Sequence, residues 1–385
     1  MEANFEFVDV QQIEYSRPVL VVYNPKSGTK RDVRAVIRQG LKAAGIACEF
    51  YETSKPGDAV EKVRGCNLGS YSAIAVVGGD GTVHEVVNGM LLRADQQVVP
   101  IVHVPNGSRN AFAMNHCIRS VESAMEALKK GHVVKQDVMR CEFDRDLAAA
   151  SGSSSHTTYS TLNADIGFVA HILSKTPALM KQLLGPIAYF ITLFRLLFKK
   201  ELVKLDVELD DGSVRIKEVE GSMFNITNQV HNLHNSISCA IGLINDGLNE
   251  IRITREPFKS FGEFLSKFNQ FKLGGINQYF GDVYRFSTLK ICNRNYDPEG
   301  YLLPQAITVD GELKQFTHSV KFEVIKEGLQ VICDIDRVID EKYTLGNRGP
   351  PEEQPKSRFG FFLITAALCA AAATAYLFLS QTQDA

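Results

Sequence analysis

Val76-Val-Gly-Gly-Asp-Gly-Thr-Val-His-Glu-Val-Val-Asn-Gly89 is the stretch on which the reading of this chain turns. Before it, Tyr71-Ser-Ala-Ile-Ala-Val-Val77 is an apolar run of buried-strand type; after it, Val83, Val86, Val87 and Met90 recur at helical spacing. The glycines therefore fall where a strand hands over to a helix. Without Cβ atoms, Gly78, Gly79 and Gly81 let backbone amides close on a ligand, and a helix N-terminus favours anions. Asp80 is out of place in a pure phosphate loop, because its carboxylate repels phosphate. It makes chemical sense as a proton acceptor, or as a magnesium contact beside phosphates.

Outward from this turn, strand and helix alternate from Pro18 to Cys141. Val19–Tyr23 reads as a strand, Val33–Ala44 as a helix, Ala47–Tyr51 as a strand and Ala59–Arg64 as a helix. Val98–Val104 is a further strand and Val121–Lys130 a further helix. That alternation predicts an α/β fold with a parallel sheet covered on both faces, whose ligands sit at the carboxyl ends of the strands. Residues 144–158, rich in Ala, Ser and Gly, read as a flexible insertion. Strands then dominate: 159–164, 203–209, 214–219, 222–227, 250–254, 284–291, 306–309 and 320–325. Helical stretches interrupt them at 179–198 and 261–272, and Asp210-Asp-Gly-Ser213 signals a hairpin. The expectation is an α/β domain over 17–143 and a β-rich domain over 144–340. Ile187–Lys200, strongly apolar with a basic end, fits a core helix and a lipid-facing helix equally.

The chain has 385 residues, enough for two cores, and 42 Lys plus Arg balance 44 acidic residues, so charge gives no argument for a nucleic-acid partner. Eight cysteines are scattered without a Cys-x-x-Cys pair, a pattern that suits reduced thiols in a cytosolic compartment. No basic segment followed by an apolar one opens the chain, so a secretory signal is not expected. Phe359–Leu379 is apolar and uncharged throughout. A helix of that length, at ~1.5 Å per residue, crosses a hydrocarbon core of ~30 Å. A polar, Pro-rich linker over 341–358 precedes it. Lys356 and Arg358 just before the run place the large part on the cytosolic side. The expectation is a single C-terminal transmembrane tail anchor, in the endoplasmic reticulum or mitochondrial outer membrane.

Three more segments fall at strand ends. Asn24-Pro-Lys-Ser-Gly28 follows the first strand, Pro105-Asn-Gly-Ser-Arg-Asn-Ala111 follows the fourth, and Val309-Asp-Gly-Glu312 is a hairpin with two carboxylates. In this order and spacing they resemble the diacylglycerol kinase catalytic-domain family of lipid kinases, which includes the sphingosine kinases. The resemblance runs from Arg17 to Lys326 and continues in Asn163-Ala-Asp-Ile-Gly-Phe168 and Ile244-Asn-Asp-Gly-Leu248. It implies an N-terminal three-layer α/β nucleotide-binding domain, a C-terminal β-sandwich that binds lipid, and an active site in the cleft between them.

By that resemblance Asp80 is the general base that deprotonates a lipid hydroxyl, and Gly79, Gly81 and Thr82 line the phosphates of ATP. Asn24 and Lys26 contact ATP, with Thr53 as a weaker candidate, and Glu85 holds ribose or orients the loop. Gly107, Ser108 and Asn110 touch the nucleotide, Asp310 and Glu312 close the site, and Asp246 is a Mg2+-linked carboxylate. The expected partners are a membrane lipid substrate and the membrane itself, and a homodimer is left open. Two positions depart from the family. Arg109 stands where a glycine is usual, and His171 and Leu173 stand where sphingosine kinases carry acids. The second departure favours a neutral glycerolipid such as diacylglycerol over a sphingoid base. A silent nucleotide- or lipid-binding scaffold and a nicotinamide-nucleotide kinase are the other readings.

Overall fold

The computed structural model describes residues 10–28, 32–108, 110–144, 157–184, 186–199, 201–227, 244–257, 259–260, 262–263 and 281–334. The linker 341–358, the apolar run 359–379, most of the insertion 144–158 and most of the helix expected over 261–272 lie outside the described residues. Among the described residues no helix is long and apolar enough to cross a membrane.

Four strands form the parallel heart of the fold: β2 (Val19–Tyr23), β3 (Cys48–Glu52), β4 (Ala73–Gly78) and β5 (Ile101–Pro105), in the order β3-β2-β4-β5. A two-residue β1 (Gln11–Gln12) precedes them. Val19, Val21 and Tyr23 enter the core with helices α1 (Arg34–Ala43) and α5 (Val121–Lys130). Leu20 and Val22 point the other way, into the core with α2 (Asp58–Gly65) and α3 (Asp80–Leu91). Burial on both faces is why β2, β4 and β5 read as unbroken apolar runs, whereas the edge strand β3 is half-exposed. A short α4 (Ala111–Asn115) follows β5.

From here the chain runs into β6 (His132–Phe143), β7 (Thr157–Ser160) and β8 (Asn163–Gly167). Three helices come next, α6 (Phe168–Lys175), α7 (Ala178–Leu184) and α8 (Pro186–Lys199). The single helical stretch read over 179–198 is thus a pair, with a further helix ahead of it. β9 (Val203–Leu209), β10 (Val214–Gly221), β11 (Met223–Thr227), β12 (Asn249–Thr254) and β13 (Asp282–Phe286) follow. β14 (Thr288–Asn293), β15 (Gln305–Val309), β16 (Glu312–Phe316) and β17 (Ser319–Ile332) complete the described part. The expected hairpin at Asp210 is present, pairing β9 with β10.

Two sheets result. Six antiparallel strands run β13-β12-β11-β8-β15-β16, and an eleven-stranded mixed sheet joins the parallel strands to β17, β14, β9 and β10. Apolar residues of both sheets, among them Ile166, Phe224 and Ile307 from one and Leu205, Ile291 and Phe322 from the other, share one core. The long strand β17 stitches the molecule together. Its first half pairs with β14, Val331 pairs in parallel with Ile101 of β5, and β6 pairs with it nearly end to end. Leu329 and Val331 accordingly sit in the core of the parallel sheet, while Val320 and Phe322 of the same strand sit in the core between the two sheets.

Candidate active site

The order β3-β2-β4-β5 makes a topological switch point between β2 and β4, where α/β sheets bind ligands. Three loops meet there, at the carboxyl ends of β2, β4 and β5. A Cβ on Gly107 would lie 2.3 Å from the Gly79 Cα, and one on Gly28 would lie 2.2 Å from the Asn106 carbonyl oxygen. Only glycine permits these approaches, and Gly28 has a positive φ besides. Asn24 fastens the first loop: its Nδ2 donates to Thr82 Oγ1 at 3.1 Å and its Oδ1 accepts from the Lys26 amide at 3.0 Å. Lys26 Nζ donates to the Ser54 carbonyl at 2.5 Å, and Ser27 Oγ to the Asn106 carbonyl at 3.1 Å. Asn110, in a left-handed conformation, closes the third loop by bonding both the amide and the carbonyl of Gly107. Ser108 is exposed in that loop; Arg109 lies outside the described residues.

Asp80 opens α3 directly behind this junction. Its Oδ2 accepts from the Ala111 amide at 3.1 Å and its Oδ1 from the Phe112 amide at 3.0 Å. The carboxylate therefore caps α4 and is held in one orientation by two backbone donors, half-exposed at the meeting of the glycine loops. The amides of Asp80 and Gly81 begin a helix, where no preceding turn supplies an acceptor. Beneath them the buried His103 binds the Gly78 carbonyl through Nε2 at 3.0 Å. Burial pulls the His103 pKa below its usual value, against the opposing pull of Asp80 and the Gly78 carbonyl. The ring is neutral, and Nε2 facing a carbonyl carries the proton. Nothing in the apolar strand pattern singled His103 out as a support of the Asp80 loop.

The polar residues of α3 each hold one neighbouring element. His84 Nδ1 lies 3.1 Å from Asp310 Oδ2. Glu85 accepts from the amides of Gly57 and Ala59 at 2.9 and 3.2 Å, capping α2. Asn88 bonds the Tyr159 amide and carbonyl and the Thr158 hydroxyl of β7. His84 and Asn88 share a face at four-residue spacing, so a polar stripe on α3 grips the second half of the molecule. Glu312 completes the cluster, its Oε1 standing 3.6 Å from where a Gly81 Cβ would be.

Several expected contacts are committed elsewhere. Asp310 is buried, and its oxygens accept from Ser160 Oγ and the amides of Thr161, Leu162 and Asn163 as well as bonding His84. It joins elements rather than offering an oxygen to a nucleotide. Thr53 is buried with its amide and hydroxyl both directed at the Tyr23 carbonyl, so it has no donor left for ATP. Glu85 orients the α2 loop, with one backbone amide on each of its oxygens. Asp246 pairs with Arg285 and accepts from the Leu248 amide. Its neighbour Asp137 is occupied by the amides of Gly247 and Glu327. Among the described residues no three metal-ligating side chains gather.

Three glycine-bearing loops and an oriented carboxylate thus meet at the switch point of the parallel part of the mixed sheet, against which a six-stranded antiparallel sheet packs. Residues 18–141 match the model of the diacylglycerol kinase catalytic domain. A diacylglycerol kinase of Staphylococcus saprophyticus subsp. saprophyticus is 28% identical over 195 residues, 50% of this chain and 58% of that protein. One of Staphylococcus aureus (strain bovine RF122 / ET3-1) is 28% identical over 195 residues, 49% and 56% respectively. The chain thus spans a little over half the length of these relatives. The crystal structure of a diacylglycerol kinase from Bacillus anthracis str. Sterne matches 83% of this chain and 98% of its own, with a TM-score of 0.60 at 21% identity. That likeness is one of fold.

Proposed function

We propose that the chain is an ATP-dependent lipid kinase that transfers the γ-phosphate to a lipid hydroxyl, with diacylglycerol or a related glycerolipid as acceptor. The observation that carries this reading is the Asp80 carboxylate, fixed by the Ala111 and Phe112 amides at the junction of two glycine loops. A lipid hydroxyl is a weak nucleophile until a positioned base takes its proton as the new P–O bond forms. Asp80 is that base. The N-terminus of α3 and the loop amides receive phosphate charge, and in-line positioning supplies most of the rate. Magnesium enters with ATP, as part of the substrate.

A neutral acceptor is favoured by the surroundings of His171. Its nearest acid, Glu201, is shared with Lys175 and Lys199, so that carboxylate is already matched by cations and is a poor partner for a substrate ammonium. The apolar run 359–379 is read as a single membrane anchor that leaves the catalytic part in the cytosol, at the endoplasmic reticulum or the mitochondrial outer membrane. Protease protection of a tagged chain in sealed microsomes and mitochondria tests that reading.

The decisive assay is phosphate transfer from radiolabelled ATP by the full chain in mixed micelles, over a panel of diacylglycerol, monoacylglycerol, sphingosine and ceramide. Label in diacylglycerol above sphingosine is expected. Bound nucleotide with no lipid-dependent transfer would sink the kinase reading and leave a nucleotide-binding scaffold. Asp80→Asn is expected to lower kcat by roughly 10²–10⁴ while ATP binding persists; full activity in that variant removes Asp80 as the base.

A further inference from the structure

His103 and His116 are both 1% exposed, and both lie against Phe112, with ring centroids 6.1 and 4.6 Å from that of the phenylalanine. A buried imidazole is a costly residue for a strand such as β5, whose neighbouring residues Ile101, Val102 and Val104 are wholly apolar. His103 Nε2 donates to the Gly78 carbonyl, but its Nδ1 is buried with no hydrogen-bond partner. A valine would pack there without that cost. Buried polar atoms left unsatisfied call for an explanation, and they gather where function overrides packing.

The explanation lies in what the ring touches. The ladder pairs His103 with Val76, so the imidazole reaches along β4 to Gly78, the residue before Gly79-Asp80. The Gly78 carbonyl also accepts the Asn106 amide at 2.9 Å, which joins it to the third loop. The same ring rests on Phe112, whose amide donates to Asp80 Oδ1. His116 Nδ1 in turn donates to the Phe112 carbonyl at 2.7 Å. His103 therefore meets both supports of the Asp80 carboxylate: the backbone that leads into it and the residue that holds it. The Asp80 oxygens go to the Ala111 and Phe112 amides and not to the imidazole, so the ring acts on orientation and not as a proton relay.

We propose that His103, backed by His116 through Phe112, is a positioning residue for Asp80: it fixes the attitude of the carboxylate toward the acceptor hydroxyl. The inference rests on the reading of Asp80 as the base and adds to it the element that aims that base.

His103→Leu removes the donor and keeps most of the bulk, and the Gly78 carbonyl still has Asn106, so the variant is expected to fold. His103→Gln returns an N–H donor the same number of bonds from Cβ. Phosphate transfer by the full chain in diacylglycerol mixed micelles is measured alongside hydrogen exchange of the Ala111 and Phe112 amides. For His103→Leu, kcat is expected to fall by roughly tenfold to a hundredfold with KM for ATP within about twofold, because a base out of line slows chemistry and not nucleotide binding. Exchange should quicken at Ala111 and Phe112 and stay as in wild type along β4, and His103→Gln should recover most of kcat. An unchanged kcat in His103→Leu overturns the proposal. So does exchange that quickens equally along β4 with no recovery in His103→Gln, the pattern of a packing defect. Exchange needs no turnover, so the two readings fail separately: no transfer by wild type sinks the base assignment, and unaltered exchange at Ala111 and Phe112 in His103→Leu sinks this one. Phe112→Leu, which keeps the amide and removes the ring, repeats both measurements should His103→Leu not fold.

Discussion

His84 Nδ1 lies 3.1 Å from Asp310 Oδ2, with side chains 9% and 1% exposed, and this contact ties the helix that begins with Asp80 to the hairpin that carries Glu312. Burial alone would push the Asp310 carboxyl up. The hydrogen bond and charge of His84, with donors from Ser160 and Thr161, more than offset it and leave the group below its ordinary value. Asp310→Ala strands a hydroxyl, three amides and the imidazole. Urea unfolding is expected to show a loss of about 3–5 kcal/mol, as for one partner removed from a buried pair. The pH dependence has a definite sign. A depressed folded pKa gives stability that is present above the unfolded value of about 4 and is lost as pH falls through the lower folded value. Asp310→Asn should flatten that acid limb, and an unchanged limb refutes the assignment.

Gly107 and Gly81 separate contact from conformation. A methyl group at Gly107 would lie 2.3 Å from the Gly79 Cα, while one at Gly81 meets only Glu312 Oε1 at 3.6 Å, an ordinary contact. Gly107→Ala is expected to part the two loops, costing about 1–3 kcal/mol and weakening ATP binding by roughly tenfold or more. Gly81→Ala should fold as well as the wild type. Calorimetric titration of ATP on both variants checks the ordering, and equal affinities would mean that the loops do not cradle the nucleotide.

Asp165 behaves in the opposite sense to Asp310. Burial in the six-stranded sheet raises its pKa to about 6, against hydrogen bonds from Asn225, Asn163 and Thr308. A raised carboxyl pKa means that the folded state holds the proton more tightly. Its contribution is present below the unfolded value of about 4 and is lost as pH rises through about 6. The shift of about two units corresponds to a fall of about 3 kcal/mol at most between those limits. Asp165→Asn, with one neighbouring amide turned over to supply its oxygen, should abolish this slope and be neutral or stabilising above pH ~7. Chemical denaturation across that range measures it.

How much of this was legible in the sequence depends on what each segment packs against. The parallel strands β2, β4 and β5 announced themselves because both faces are buried. The helix starting at Asp80 was legible from its valines, but the work of His84, Glu85 and Asn88 was not, since their partners lie in segments remote in sequence. The stretch 284–291, read as one strand, is two strands in different sheets. Asp210 accepts from the Ser287 amide and hydroxyl and from the Thr288 amide, pinning the break. A trace was there: the buried positions pass from Phe286 to Leu289 and Ile291, a change of parity at Ser287. β6 was missed, and only the first half of β17 was seen, because their pairing is with each other across most of the chain. Asp310 was read as a ligand because a hairpin acid looks available until its five protein partners are counted in space.

Glu85 allows the sharpest separation of the two roles that its motif permits. In the structure it accepts from Gly57 and Ala59, fixing the start of α2. The Asp58 carboxylate at that start holds Ser54, whose carbonyl receives Lys26 Nζ. The path from Glu85 to ATP therefore passes through the loop and Lys26. Glu85→Ala should cost about 1 kcal/mol, as for a lost helix cap. It should raise KM for ATP by about threefold to tenfold and leave kcat at saturating ATP within about twofold, the pattern of lost uniform binding. Comparison of ATP with 2′-deoxy-ATP decides between the roles. If Glu85 acts through the loop, the ratio of the two KM values is the same in wild type and variant. If it binds ribose directly, the wild type discriminates between them and Glu85→Ala does not.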